Sequence, residues 1–330
     1  MLQVGLNPYG LTYTLGLQGW GTTRANPRGT GLEGFLATAR RIGARCAELD
    51  WRWLTTMDDA AVRRVGDRCR ADGMTVLLSA WLMQRPDETL DTAIRLASAL
   101  GATLLRLHLT PVLEGARARA GASWAAMAAH ARQTIVREAA KARDAGLALG
   151  LENHQDFGSE ELLAIADAAG EHVGLVLDTG NPFAVGEDPV AYATRAAARI
   201  RHIHLKDYRA QFTPEGVRLV RCPIGDGCVP LTAIHAVLDA HGVSPTASLE
   251  PAALDARHVR CYADDWWQGY GPRDAREFAR AQARLRERRL PDEADFRTPW
   301  ERRAPGEDVV AYEASDLERS VRNMRALGWM

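Results

Sequence analysis

The sequence lacks several features, and each absence excludes a class of protein. Its 41 lysines and arginines are balanced by 42 aspartates and glutamates, so no basic excess is present to bind nucleic acid or an anionic membrane surface. No apolar run approaches the roughly 20 residues of a membrane span. The N-terminal MLQVGLNPYG also lacks the charged lead and long apolar block of a signal peptide. We therefore expect a cytoplasmic protein that binds neither nucleic acid nor membrane.

Cysteine is scarce, and its five positions are scattered without a C-x-x-C pair. This pattern favours reduced thiols over a disulfide framework or a structural zinc site. A glycine-rich phosphate cradle is missing as well. What the chain does contain is 46% hydrophobic and 25% charged residues over 330 positions, which is typical of a globular protein with a large core.

Short apolar runs alternate with helical patterns along the chain. Strands are expected near 2–6, 45–50, 75–80, 103–109, 147–153, 173–178, 200–206 and 246–250. Helices are expected at 31–43, 58–73, 87–100, 122–145, 159–169, 188–198, 231–241 and 312–327. Eight strand–helix units of this size predict an α/β fold, the (β/α)₈ TIM barrel, with residues 1–330 in a single domain.

Two long connections are expected at the mouth of this barrel. Residues 251–312 form an insertion between strand 8 and the last helix, on the catalytic-face side, and include three tryptophans. Three interpretations stay open for it: a helix at 274–289 with a tail packed on the barrel, an active-site lid, or an interface with a partner subunit. Residues 15–30 form the second connection, and Trp20 within it is a candidate substrate contact.

Four side chains that can bind a metal stand at or beside the ends of successive predicted strands. The runs LALGLE, VGLVLD, IRHIHL and TASLE contribute Glu152, Asp178, His204 and Glu250. Because neighbouring strand residues face opposite ways, these residues share one face with the other polar residues of their strands. The catalytic residues of a TIM barrel come from these strand ends, so the sequence predicts a common site there.

The predicted site is rich in oxygen ligands. Three carboxylates and one imidazole favour one divalent cation, Mn²⁺ or Mg²⁺ first, with Co²⁺ and Zn²⁺ as further options. Lys206 shares a strand face with His204 and is one of only two lysines in the chain, so it offers a compact charge to balance the site or hold a substrate oxygen. Any single carboxylate at a strand end is more often the partner of a cation than a metal ligand, and Arg106 is an obvious cation for such an ion pair. Four ligands in order nevertheless favour a metal.

Five segments resemble the signature segments of the xylose isomerase-like TIM barrels. They are GLENH (150–154), LDTGN (177–181), HIHLKD (202–207), PIGDGCVP (223–230) and SLEP (248–251). This superfamily contains sugar and sugar-phosphate isomerases and epimerases, inosose and dehydroshikimate dehydratases, and endonuclease IV. The resemblance covers residues 1–250 and is specific for the superfamily rather than for one reaction.

The resemblance implies that the four strand-end residues are the metal ligands. Asn181 departs from many relatives, which have a histidine at this position, and this departure argues against a nuclease site with several metals. Asn181 and Arg106 are further candidate substrate contacts, and a small carbohydrate is the implied substrate.

The chemistry implied by such a site begins with proton abstraction next to a carbonyl. In an isomerase or epimerase, Glu152 and Glu250 would exchange protons with the substrate from opposite faces. In an elimination, His154 or His108 would act as base or acid. His154 can instead orient Glu152, and these two roles stay open. Lys206 is a candidate catalytic cation in either reaction.

Two alternatives to an isomerase or epimerase stay open. The first is a lyase, either a dehydratase or the large subunit of a C-glycoside deglycosidase, which cleaves a 3-oxo-glycoside with the help of a small second subunit. The second is a metal-free barrel that binds carbohydrate or serves as a scaffold. A homo-oligomer or a hetero-oligomer with a small subunit is expected.

Overall fold

The strands close into a parallel barrel. The computed structural model describes residues 2–82, 88–121 and 123–330. Its strands are β1 (Gln3–Leu6), β2 (Cys46–Asp50), β3 (Thr75–Trp81), β4 (Leu104–His108), β5 (Ala148–Glu152), β6 (Val173–Asp178), β7 (Ile200–Leu205), β8 (Tyr208–Thr213), β9 (Gly216–Arg221), β10 (Thr246–Leu249) and β11 (Arg257–Val259). Eight of these form a closed parallel barrel in the order β1-β10-β7-β6-β5-β4-β3-β2.

Helices surround the barrel. They are α1 (Gly31–Ile42), α2 (Asp59–Ala71), α3 (Asp91–Leu100), α4 (Arg117–Ala120), α5 (Ser123–Asp144), α6 (Ser159–Ala169), α7 (Pro189–Ala196), α8 (Leu231–Ala240), α9 (Ala275–Glu287) and α10 (Gly306–Ala326). Local sequence sets their ends: the Asp58 carboxylate accepts the N–H of Ala61 at 2.7 Å to start α2, and Gly43 ends α1 with a φ of 76°. None of the helices among the described residues is long and apolar enough to cross a membrane.

The predicted (β/α)₈ barrel is confirmed, and each of its strands lies within one residue of the expected range. The last helix begins at Gly306 rather than at residue 312, because Pro305 precedes it and two acidic residues in its first turn favour a helix N-terminus. The insertion therefore ends near residue 305. The expected helix starts at residues 87 and 122 lie outside the described residues.

A small antiparallel sheet was not predicted. β8 and β9 form a hairpin, and β11 pairs with β9, so the three strands have the order β11-β9-β8. The hairpin follows β7 directly, and β11 belongs to the insertion. The insertion is thus joined to the mouth of the barrel through backbone pairing.

The inside of the barrel changes from apolar to charged along its axis. Cys46, Leu77, Leu104 and Val176 form a separate buried cluster. Their strand neighbours two residues further on share the same face by parity and are mostly polar or charged. A Cβ on Gly150 would lie 2.6 Å from Cγ2 of Val176, so glycine is needed where this apolar layer fills the barrel. The charged residues therefore gather towards the C-terminal ends of the strands.

Buried aromatic residues fix the insertion to the rest of the chain. Trp266 is 2% exposed, and its indole N–H donates to the carbonyl of Glu114 at 2.8 Å. Its ring stacks on Tyr270 with centroids 4.8 Å apart. The guanidinium of Arg117 lies 4.0 Å from the Tyr270 ring centroid and 4.4 Å from that of Trp124. These contacts hold the insertion in one position against the barrel.

Candidate active site

The four predicted ligands lie together at the C-terminal end of the barrel. Glu152, Asp178, His204 and Glu250 offer ligand atoms that are all within 4.8 Å of one another. The first three side chains are fully buried, and Glu250 is 4% exposed. Nδ1 of His204 lies 3.1 Å from Oε1 of Glu152 and 2.9 Å from Oε2 of Glu250. The quartet is therefore one compact cluster.

Strand register brings these residues together. Asp178 is paired with His204 across β6 and β7, and His204 is paired with Ser248 across β7 and β10. Glu152 is paired with Val176, one inward-facing position before Asp178. Strands in a closed barrel are tilted and staggered, so inward side chains from neighbouring strands converge although their positions differ.

The LDTGN segment orients Asp178 and is hydrogen-bonded to Lys206, the residue that follows β7. Oδ1 of Asp178 accepts the N–H groups of Gly180 at 2.9 Å and Asn181 at 3.0 Å. Oγ1 of Thr179 donates to the carbonyl of Lys206 at 2.7 Å and accepts its N–H at 2.9 Å. One carboxylate oxygen of Asp178 is thus held by the turn, and the other is left to face the site.

Lys206 sits between two of the predicted ligands. Its Nζ lies 2.5 Å from Oδ2 of Asp178 and 2.6 Å from Oε1 of Glu250. Burial raises the pKa of Asp178 to about 6, and Glu250 and Glu152 add to the rise against the opposing charge of Lys206. Asp178 therefore holds a proton more readily than an exposed aspartate, chiefly because it is buried.

A carboxylate that the sequence analysis missed lies behind His204. Glu48 on β2 is fully buried, and its Oε2 lies 2.9 Å from Nε2 of His204 and 3.4 Å from Nε2 of His202. Burial opposes a positive charge on His204, but Glu48 and then Glu250 outweigh it and raise the pKa of that ring well above its usual range. The two nitrogens of His204 thus face different carboxylates.

The donor set fits a divalent cation. The buried carboxylates of this cluster are Glu48, Glu152, Asp178 and Glu250, and the permanent cations among the described residues that contact them are Arg106 and Lys206. Two negative charges stay unbalanced when His204 is neutral. A divalent ion held by the quartet would supply that balance; Nδ1 of His204, which faces Glu152 and Glu250, would be its nitrogen donor, and Nε2–H would be donated to Glu48. A carboxylate on the far nitrogen is the usual support of a metal-binding histidine.

Replacing Glu48 with glutamine is expected to weaken Mn²⁺ binding about 10- to 100-fold. The amide can donate to Nε2 of His204, which moves the ring proton to Nδ1 and blocks the nitrogen that faces the quartet. Titration calorimetry with Mn²⁺ measures the change. Glu33→Gln is the matched control, because Glu33 is an exposed glutamate that pairs with Arg68. Equal Mn²⁺ affinity in Glu48→Gln and the wild type would contradict the expectation.

A cavity of about 650 Å³ opens above the cluster and reaches it through Lys206 and Glu250. Its volume is typical of a small-molecule site. Its wall mixes aromatic, cationic and amide side chains, including Tyr9, Arg52, Trp81, Arg106, His108, His154, Gln155, Tyr208 and Arg257. Glu152 does not line it; Arg106, which contacts Glu152, lines it instead.

Two histidines lie side by side on the cavity wall. The rings of His108 and His154 have centroids 4.0 Å apart. Burial, with Arg106 adding to it, lowers the pKa of His108 to about 4. Burial lowers the pKa of His154 well below its usual range, and His108 and Arg106 add to the effect. Nδ1 of His154 has no hydrogen-bond partner among the described residues, so this neutral ring has a free nitrogen.

Of the other predicted substrate contacts, Arg106 lines the cavity, whereas Asn181 and Trp20 do not. Arg106 lines the cavity and donates to Ser79 at 3.0 Å as well as contacting Glu152. Asn181 is 1% exposed, accepts from Gln155 at 3.2 Å and does not line the cavity. Trp20 is 74% exposed and lies outside the cavity wall, while its neighbours Leu17 and Gln18 belong to the wall.

The sequence contained a signal for the missed residues on β2. CAELD places Glu48 and Asp50 on one strand face, the same alternation that marks β5 and β7. Asp50 accepts two hydrogen bonds from the guanidinium of Arg52, at 2.8 and 2.6 Å, and Arg52 lines the cavity. Asn7 after β1 donates to Glu250, although nothing in NPYG indicates that contact.

Relatives of known sequence match parts of the chain. It is 26% identical over 182 residues to the Escherichia coli K12 protein YihM. This match covers 55% of the present chain and 52% of YihM. It is 31% identical over 115 residues to an inosose dehydratase of Clostridium beijerinckii, which covers 30% of this chain and 38% of the relative. The chain therefore spans about half or less of these relatives.

Solved structures and a family model cover more of the chain. A xylose isomerase-like TIM barrel protein of Mycobacterium smegmatis, solved in complex with magnesium, matches 86% of this chain and 98% of its own with a TM-score of 0.56 and 17% identity. That likeness concerns the fold. The family model for the xylose isomerase-like TIM barrel matches residues 36–287. The chain belongs to the xylose isomerase-like TIM barrel family.

Proposed function

We propose that this chain is a divalent-metal-dependent enzyme that removes the proton α to the carbonyl of a sugar or sugar derivative, as an isomerase or epimerase does. The observation that carries the proposal is the buried quartet of three carboxylates and one imidazole, whose Glu250 lines a cavity of about 650 Å³. Buried titratable groups that converge on one cavity are the usual mark of an active site.

The quartet would hold the ion, and its oxygen-rich donors favour Mn²⁺ or Mg²⁺ over Co²⁺ or Zn²⁺. A bound divalent cation polarises a carbonyl oxygen as a Lewis acid and makes the neighbouring C–H more acidic. Lys206 lines the cavity with its ammonium buried against Asp178 and Glu250. From there it can stabilise negative charge that develops on a substrate oxygen.

His154 is the best-placed base. Its ring lines the cavity, its Nδ1 has no hydrogen-bond partner among the described residues, and burial lowers its pKa, so the ring is neutral and that nitrogen is free. Glu250 also lines the cavity, but Lys206, His204 and Asn7 all contact it. Glu152 is less accessible still, because it does not line the cavity, whereas Arg106, which contacts it, does. A pair of glutamate bases, as in the epimerase scheme, is therefore less favoured than a histidine.

A carbohydrate is the proposed substrate class. The cavity wall offers both donors and acceptors for hydroxyl groups, among them Gln18, Thr110 and Gln155. The rings of Tyr9 and Trp81 give it an aromatic surface as well.

A second candidate function is elimination, as in a dehydratase or a C-glycoside deglycosidase. The neighbouring rings of His108 and His154 favour it, because an elimination needs a base for the proton and an acid for the leaving group. One of the relatives that the sequence matches, an inosose dehydratase, carries out a reaction of this type.

The insertion is proposed as part of the cavity wall rather than as a partner interface. Ala253 and Arg257 line the cavity, and Trp266 is buried within its own chain. A homo-oligomer, a small second subunit and a cytoplasmic location stay predictions, and size-exclusion chromatography with light scattering tests the first two.

Deuterium uptake from solvent tests the shared first step. We expect the Mn²⁺-loaded protein in D₂O to place one deuteron at the carbon α to the carbonyl in at least one member of a panel of ketoses, inososes and 3-oxo-glycosides. Mass spectrometry of the recovered sugar measures the uptake. An epimerised or isomerised product identifies the first function, whereas loss of water or of an aglycone identifies the second.

Two controls make the exchange experiment decisive. Sorbitol has no carbonyl and should take up no deuterium, and EDTA should stop uptake by the sugars. A protein that binds no Mn²⁺, melts at the same temperature with and without it and exchanges no proton would instead be the scaffold or carbohydrate-binding barrel.

A further inference from the structure

One arginine on the cavity wall has no acidic partner in the part of the chain that the structure describes. Arg257 begins β11 and lines the same cavity as Glu250 and His154. Its Nε is buried without a hydrogen-bond partner, and no carboxylate of residues 2–82, 88–121 and 123–330 lies within ion-pair distance of its guanidinium. A buried donor left without an acceptor is unfavourable, so a ligand that supplies the acceptor would bind well there.

The other permanent cations of the cavity wall are already neutralised. Arg52 contacts Asp50 at 2.6 Å, Arg106 contacts Glu152, and Lys206 contacts Asp178 at 2.5 Å. Arg257 is the exception, because no described acidic residue pairs with it. Among the described residues, the cavity wall therefore carries one unbalanced positive charge, that of Arg257, beside the proposed reaction centre.

The backbone that carries Arg257 is held in place. It is paired with Leu219 of β9, so it belongs to the three-stranded sheet rather than to a free loop. The next residue, His258, faces the other way, and its N–H and ring contact Glu114 and Thr213 at 3.1 and 2.9 Å. A site on a paired strand is more precisely positioned than one on a loop.

We propose that Arg257 binds a carboxylate of the substrate, so that the enzyme acts on a sugar acid rather than on a neutral sugar. A single free guanidinium matches one carboxylate through two parallel hydrogen bonds. A phosphate carries more charge and would need further free donors, and the remaining cations of the wall are engaged. This inference rests on the proposed function, because it places the acid on the molecule whose proton is removed.

Binding of matched acids and neutral sugars tests it without turnover. Titration calorimetry on the Mn²⁺-loaded protein compares D-glucuronate with D-glucose, D-galacturonate with D-galactose and D-gluconate with sorbitol. At least one acid should bind roughly 10- to 100-fold more tightly than its neutral counterpart. Arg257→Ala should remove this preference, and Arg257→Lys should retain part of it.

Arg260→Ala is the matched control, because Arg260 is close in sequence but paired with Glu215 at 3.2 Å and Asp265 at 2.9 Å outside the cavity. It should keep the preference for acids. If no acid binds better than its neutral counterpart, or if Arg257→Ala keeps the preference, the proposal is overturned. A preference for D-glucose 6-phosphate alone would overturn it as well.

The failure of this inference can be distinguished from failure of the proposed function. An acid preference without any deuterium uptake would contradict proton abstraction and leave the role of Arg257 standing. Deuterium uptake into neutral sugars, with no acid preference, would contradict the role of Arg257 alone.

Discussion

Replacing Glu250 with glutamine is expected to abolish proton exchange and to weaken Mn²⁺ binding by more than the roughly 100-fold expected for loss of a supporting residue. Glu250 has two contacts that need its charge, with Nδ1 of His204 at 2.9 Å and with Nζ of Lys206 at 2.6 Å. Burial opposes its ionisation, yet Lys206 and His204 outweigh burial and lower its pKa to about 2. At neutral pH the quartet therefore uses this residue as a full negative charge.

Glutamine keeps the shape of the side chain and removes that charge. We expect the exchange rate to fall at least about 1000-fold, which corresponds to ~4 kcal/mol of transition-state stabilisation. Lys206 is left with one carboxylate instead of two, so its position above the site is also less defined. Deuterium uptake and Mn²⁺ calorimetry measure the two effects separately.

Thermal melting shows whether the variant is folded and whether it binds metal. Wild-type protein at an Mn²⁺ concentration 100 times the dissociation constant should gain about 2.7 kcal/mol, and Glu250→Gln should gain little at the same concentration. Glu33→Gln again serves as the control for removing a negative charge elsewhere. Wild-type exchange in Glu250→Gln would show that the quartet is not the reaction centre.

The strands and the quartet could be predicted because short local sequence patterns indicate them. Glu152 and Glu250 each follow an apolar run whose parity is visible in the sequence, and parallel barrels place such ends together. The missed hairpin, Tyr208–Arg221, has arginines within its alternating pattern, which hides the apolar face. Its turn at Pro214 and Gly216 was the available signal.

Contacts between distant strands could not be predicted from one sequence. The contact of Glu48 with His204 depends on how β2 and β7 face each other across the barrel, and no local pattern contains that distance. Long connections have no periodicity either. Trp20 and Trp266 both lie in such segments, yet one is 74% exposed and the other is 2% exposed. The free charge of Arg257 likewise appears only when every neighbouring carboxylate has been located.

The second large effect is expected from replacing His154. The replacement shows whether His154 removes the proton or only orients Glu152. If His154 removes the proton, His154→Gln should lower the exchange rate about 10²- to 10⁴-fold and leave Mn²⁺ affinity at the wild-type level. The structure favours this outcome, since within the described part of the chain Nδ1 of His154 has no hydrogen-bond partner and so contacts no member of the quartet. Glu152 is instead oriented by Arg106 and by His204.

His108→Gln is the matched comparison for His154→Gln. Nε2 of His108 contacts the carbonyl of Thr110, which can only accept, so Nε2 carries the ring proton and Nδ1 is the nitrogen left to pass a proton to a leaving group. Because the ring is neutral, it must first receive that proton from solvent or from His154, whose ring centroid is 4.0 Å away. We expect His108→Gln to slow product formation in an elimination while deuterium uptake continues, because the acid acts after the C–H bond breaks. In His154→Gln both processes should stop together. Near-wild-type exchange combined with weakened Mn²⁺ binding in His154→Gln would assign His154 to positioning Glu152 and leave Glu250 as the remaining base on the cavity wall.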